Sequence, residues 1–138
     1  MSTSKITISL DEPALAALDA AYSNRSGGIA HLIEMRAREA RDAIERLRVS
    51  GWSPRALQAA AASLLGTFID LTWSAEAVAL ELAACSDTAA RDADVGEQRW
   101  TELCAAAHSD AALARAIVVV AQEAAAGNAM VLRAMASD

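Results

Sequence analysis

The sequence predicts a mainly α-helical chain, with an N-terminal strand and two helices forming a dimeric unit and a helical bundle following it. Three observations predict this. The 138 residues are 54% hydrophobic, but 36 alanines carry nearly half of that share against one Phe, one Tyr and three Trp, a composition suited to closely packed helices rather than a β-sandwich. Only one segment alternates polar and apolar residues as a half-buried strand does, and elsewhere the apolar residues recur at helical spacings of three and four.

In KITISL, residues 5–10, polar Lys5, Thr7 and Ser9 alternate with apolar Ile6, Ile8 and Leu10, so one face is suited to burial and the other to solvent. A lone strand leaves its backbone donors and acceptors unpaired. No second strand follows to make a hairpin, so the pairing strand is expected from another copy of the chain. Asp11 is a good helix N-cap, with Glu12 and Pro13 in the first turn, and Leu15 and Leu18 mark the stripe of a short helix. That helix is expected to end in the polar turn Ser23 to Gly28. A second is expected from near Gly28 to about Val49, with Ile29, Ile33, Ala37, Ala40, Ile44 and Leu47 along one side.

Gly51 is read as the boundary between a domain of residues 1–50 and one of residues 51–138. Ser53-Pro54 opens a helix expected to reach about Thr72. Ser74 caps another through Val78, Leu80 and Leu82, and residues 86–97 read as a loop or weak helix. Trp100, Leu103 and Cys104 mark a further helix. Ser109 and Asp110 cap a last long one, interrupted at Gly127-Asn128. Residues 53–136 thus read as a bundle of four or five helices.

Charge divides unevenly. The net charge is −6, from 12 basic and 18 acidic residues. Residues 1–50 hold seven of each sign and net zero, so the second half carries the whole excess. Such asymmetry suggests two jobs, with the acidic half suited to oligomerisation or to a protein partner rather than to DNA. No uncharged stretch approaches the ~20 apolar residues that span a bilayer, and the N-terminus lacks a basic region followed by an apolar one. A cytoplasmic protein without a membrane partner is expected. Cys85 and Cys104 are too few for a disulfide framework.

The run K-I-T-I-S-L-D-E-P-A-L-A-A-L-D at 5–19, followed by a polar Gly turn and a second helix containing Leu32-Ile33, resembles the ribbon-helix-helix family of DNA-binding proteins (the MetJ, Arc and CopG type). The resemblance covers about residues 5–48. Arg36 departs from it, standing where a small apolar residue is usual, and Gly27-Gly28 stand where a Ser or Thr cap is common. The resemblance implies a homodimer whose two strands pair antiparallel and enter the major groove of double-stranded DNA. Lys5, Thr7 and Ser9 would then read bases. Arg25, Ser26, Gly27 and Gly28 would meet phosphate at the start of the second helix, and Ile6, Ile8, Leu10, Leu15, Leu18 and Ile33 would form the dimer core. Repressors, antitoxins and accessory proteins of plasmid partition or conjugation all fit this outline.

Plainer readings stand beside these. KITISL also reads as an edge strand with a solvated polar face, though DNA reading is favoured for it, and Gly27-Gly28 reads equally as a helix-to-helix turn. Arg36, Arg38, Arg41, Arg46 and Arg48 are interleaved with Glu34, Glu39, Asp42 and Glu45, which favours a solvated face with helical ion pairs. Cys104 and His108 share a helix face, but two ligands do not make a metal site. His31 has no catalytic partner in sequence, and Trp52, Trp73 and Trp100 read as core or interface anchors. No P-loop, G-x-S-x-G or H-E-x-x-H occurs, so neither an enzyme, a metal nor a cofactor is expected. The competing function is a protein-interaction module, or an acidic inhibitor, that uses the strand only to dimerise.

Overall fold

The computed structural model describes residue 5 and residues 7–65, 73–84 and 96–136. Seven helices occur among them: α1 (Glu12–Ala21), α2 (Arg25–Val49), α3 (Pro54–Leu65), α4 (Ala75–Ala84), α5 (Glu97–Ser109), α6 (Ala111–Ala125) and α7 (Ala129–Ala136). The fold of the described residues is all-α. Residues 7–10 are neither helix nor strand in the single chain, and Ile6 lies outside the described residues. The expected turns of helix through Phe68 and Ile69, the segment 86–95 and Cys85 also lie outside them. No single described helix is long and apolar enough to cross a membrane.

Side-chain caps set the helix starts. An Asp11 carboxylate oxygen accepts the Ala14 N–H at 2.9 Å and opens α1. Ser53 Oγ accepts from Ala56 N–H, and Ser74 Oγ from Ala77 N–H, both at 3.1 Å. Asp110 accepts from Ala112 and Leu113 N–H at 3.0 and 3.2 Å. Each cap satisfies a donor that the helix cannot satisfy itself. Two helices end alike. Trp52 N–H donates to Leu47 C=O and Gly51 N–H to Arg48 C=O at the end of α2, and Asn128 and Gly127 donate to Glu123 and Ala124 after α6. These are Schellman closures, and both glycines take the left-handed backbone they need, with φ +92° at Gly51 and +81° at Gly127.

The chain divides into two compact units, Met1–Ala37 and Arg38–Asp138. The division falls inside α2 rather than at Gly51. Its cause is that Ala40, Ala43 and Leu47, past the division, are buried in the core of the second unit. Within that unit α6 packs against α3, α4, α5 and α7. Leu113, Ala114, Ala116 and the run Ile117 to Ala121 are buried around its whole circumference, which places α6 at the centre of the bundle. Trp52 and Trp100 are both fully buried and meet edge to face, with centroids 5.8 Å apart, while Trp73 is half-buried against the same core. Trp100 Nε1 donates to Leu82 C=O at 3.2 Å, joining α5 to α4.

Candidate functional site

In the first unit the described residues bury one hydrophobic side chain, Leu18. Leu15 is half-buried, while Ile8, Leu10, Leu32, Ile33 and Met35 are exposed, Ile33 at 61% and Ile8 at 51%. These side chains are not scattered. Ile8, Leu10, Leu18, Ile29, Leu32 and Ile33, with small Ala14, Ala17 and Ala21, line one apolar concavity of about 470 Å³. A neighbouring concavity of about 400 Å³ shares Ile8, Leu10, Leu18 and Ile29 and adds Ser9, Leu15 and Arg25. Helical spacing produces this wall, because Ile29, Leu32 and Ile33 fall on one side of α2 and Ala14, Leu18 and Ala21 on one side of α1.

Of the residues expected to read DNA, Lys5, Thr7 and Ser9 are all exposed. Of the expected dimer core, Leu18 is buried, Leu15 half-buried, and Ile8, Leu10 and Ile33 are open.

The start of α2 differs from its expected position. The helix begins at Arg25, before the glycines, because Asn24 caps it: Gly27 N–H donates to Asn24 Oδ1 at 2.9 Å and Gly28 N–H to Asn24 C=O at 2.8 Å. Gly27 and Gly28 therefore lie within the first turn of helix, and the connection shortens to Tyr22–Asn24. Ser26 and Gly27 are exposed; Gly28 is buried. The Tyr22 side chain lies across Gly28 and also meets the His31 ring at a centroid distance of 5.8 Å.

Arg25 is engaged by a carboxylate. Its Nε donates to Asp19 Oδ1 at 2.8 Å and its Nη2 to Asp19 Oδ2 at 2.9 Å, a bidentate pair tying α1 to the start of α2. The hydrogen bond from Arg25 holds the Asp19 carboxyl below the usual carboxylate range, and the same bond raises Arg25. In the second unit, Arg48 grips Glu45 and Arg115 reaches Glu39 at 2.9 Å. The first is an exposed ion pair along one face of α2, the arrangement expected for that helix; the second instead joins α2 to α6.

Asp19, Tyr22 and Asn24 are the residues of this region that sequence reasoning did not single out. Asn24 carried a signal, being an N-cap residue type three positions before Gly27; the partner of Asp19 across the connection carried none. Among the described residues no cluster of three His, Cys, Asp or Glu side chains is placed to hold a metal ion. Cys104 is buried and His108 exposed, so the two share a helix but not an environment. Comparisons with family models, with curated proteins and with solved structures give no match to this chain.

Proposed function

We propose that this chain is a homodimeric, sequence-specific binder of double-stranded DNA, reading the major groove with an antiparallel ribbon made from residues 5–10 of two copies. In this reading it acts as a transcriptional repressor, or as a regulatory protein of the antitoxin, plasmid-partition or relaxosome-accessory kind. One observation carries the proposal: the first unit leaves Ile8, Leu10, Leu32 and Ile33 open along one apolar wall. Units below roughly 40 residues rarely hold together on their own core and usually need oligomerisation, a metal or disulfides. A second copy placed by a two-fold axis covers the wall with its own equivalent. It also supplies the partner that a strand at 5–10 requires.

Pairing by that route leaves Lys5, Thr7 and Ser9 on the outer face of the ribbon, since successive side chains alternate. A lysine donates to guanine O6 or N7, and hydroxyls serve either role at base edges. Arg25 and Ser26, at the start of α2, are the groups best placed to meet phosphate. The acidic second unit supplies oligomerisation or the surface for a protein partner, and assembly of several dimers on adjacent sites makes binding cooperative.

The experiment is selection of bound duplexes from a random pool, followed by affinity measurements from low to physiological salt. A recovered symmetric or repeated motif, bound less tightly as salt rises, and lost when Lys5, Thr7 and Ser9 are replaced by Ala, supports the groove reader. Absence of enrichment overturns it. The second reading, a protein-interaction module or acidic inhibitor that dimerises through the same wall, is favoured by one observation. Arg25, Arg48 and Arg115 are each engaged by a carboxylate in a chain of net charge −6, which thins the positive footprint DNA binding draws on.

A further inference from the structure

Resting on the DNA-binding reading, we propose that Asp19 is a built-in competitor for the DNA backbone, occupying the edge of Arg25 that would otherwise grip a phosphate and holding down affinity that owes nothing to sequence.

A guanidinium offers a fork of parallel donors that fits two oxygens of a carboxylate or two of a phosphate. In this chain the Nε and Nη2 edge of Arg25 is filled by both oxygens of Asp19, at 2.8 and 2.9 Å. The same edge cannot serve a phosphate at the same time. Position makes the conflict relevant to the ribbon: Arg25 and Ser9 border one concavity, together with Ile8, Leu10, Leu15 and Ile29. The pair therefore sits where the base-reading segment meets the start of α2. It is exposed, with Arg25 at 60% and Asp19 at 46%, so solvent screens it and a phosphate is able to open it.

The consequence is electrostatic. Backbone contacts by Lys and Arg release counterions from DNA and supply most of the affinity for any sequence. An arginine already neutralised by its own carboxylate adds almost nothing to that release, and the displaced carboxylate then stands near the phosphates as a like charge. Asp19 thus weakens binding to all duplexes alike and leaves discrimination to Lys5, Thr7 and Ser9. Lys5 and Arg25 are the only Lys or Arg residues in positions 1–35, so one arginine more or less per protomer is a large change in such a footprint.

The test compares full-length wild type with Asp19→Asn, Arg25→Gln and the double variant. The probes are the duplex recovered by selection and an unrelated duplex of equal length, with the observed binding constant followed against salt. Asp19→Asn keeps an acceptor for Arg25 but removes the charge. It is expected to bind both duplexes several-fold more tightly at low salt, with a salt dependence steeper by about two ions per dimer. Arg25→Gln and the double variant are expected to coincide, because the competitor acts only through Arg25. Asp19→Ser, which shortens the side chain, provides the same reading should the Asn variant lose its helical circular-dichroism signal.

If wild type binds DNA while a folded, dimeric Asp19 variant gains no affinity and no slope, the competitor is overturned. The carboxylate then merely orders the connection between α1 and α2. A loss of affinity in that variant overturns it too, and makes Asp19 a group that positions Arg25 for DNA. Wild type that binds neither duplex at any salt overturns the DNA-binding reading itself, a result distinct from either.

Discussion

The Tyr22 side chain packs so closely on Gly28 that a Cβ at that glycine would stand 2.6 Å from the ring's Cγ and 2.8 Å from the tyrosine's own Cβ. The atoms in the way belong to the root of the tyrosine side chain, next to its backbone, and do not swing aside cheaply. Gly27, one residue earlier, would place a Cβ 3.6 Å from Asn24, an ordinary contact.

Neighbouring glycines in one helical turn are therefore expected to respond with opposite signs. Gly27→Ala gains helix propensity without a clash and is expected to stabilise the protein by up to about 1 kcal/mol. Gly28→Ala gains the same propensity but must displace Tyr22, and overpacking of this kind costs about 1–3 kcal/mol. Urea unfolding of the two variants, read by helical circular dichroism, separates them. Equal stabilisation by both would mean that α1 and α2 are not held at this distance.

The two buried tryptophans are expected to differ in the same sense. Trp100→Phe removes the indole that donates to Leu82 C=O at 3.2 Å, so a buried hydrogen bond is lost together with volume. A cost of about 2–4 kcal/mol follows. Trp52 is equally buried, but its Nε1 has no hydrogen-bond partner among the described residues. Trp52→Phe loses volume and the edge-to-face contact while relieving a buried unpaired donor, and is expected to cost clearly less. Denaturant midpoints of the two variants order them, and a larger loss for Trp52→Phe would show that its indole N–H is satisfied in solution.

Burial pushes the Cys104 thiol up to about 11, because the thiolate would have to be held among apolar neighbours. In the unfolded chain the thiol ionises near its ordinary value, so from about pH 9 the unfolded state sheds its proton while the native state keeps it. Stability is therefore expected to fall between about pH 9 and 11 and to be unaffected by this group below that window. Native protein treated with iodoacetamide at pH 8 and mapped by mass spectrometry is expected to leave the Cys104 peptide unmodified until urea is added. Rapid modification without urea would place the thiol at the surface.

Much of the helical pattern was legible because its signals are local. Asp11, Ser53, Ser74 and Asp110 cap where a short polar side chain precedes an apolar period, and the break between α6 and α7 falls at the one glycine there that can adopt a positive φ. The errors arise where a local signal has two physical causes. Gly27-Gly28 read as a turn, yet Gly28 lacks a side chain for the sake of Tyr22 and Asn24 is the actual cap. The division of the compact units between Ala37 and Arg38 has no local mark for a different reason. The apolar period runs unbroken through Ile33, Ala37, Ala40, Ile44 and Leu47, and periodicity reports that a face wants cover without reporting which neighbour supplies it. The Asp19–Arg25 pair spans a helix, a connection and the next helix, a spacing of six that no helical or strand period marks.

That same stripe on α2 makes the last prediction. Ile33 and Leu32 are exposed in the single chain at 61% and 42% and neither belongs to the core of the second unit, so charged replacements there are expected to leave the helical signal and the unfolding of the second unit within about 0.5 kcal/mol of wild type. In a two-fold dimer each replacement is buried twice, against its own symmetry mate's wall, where an unpaired charge costs several kcal/mol. Leu32→Glu with Ile33→Glu is thus expected to bring the mass measured by light scattering down to the 14.4 kDa of one chain, and to abolish DNA binding with it. A double variant that keeps the mass of the dimer would place the interface elsewhere, in the acidic second unit, and would leave the apolar wall of the first unit to a different protein.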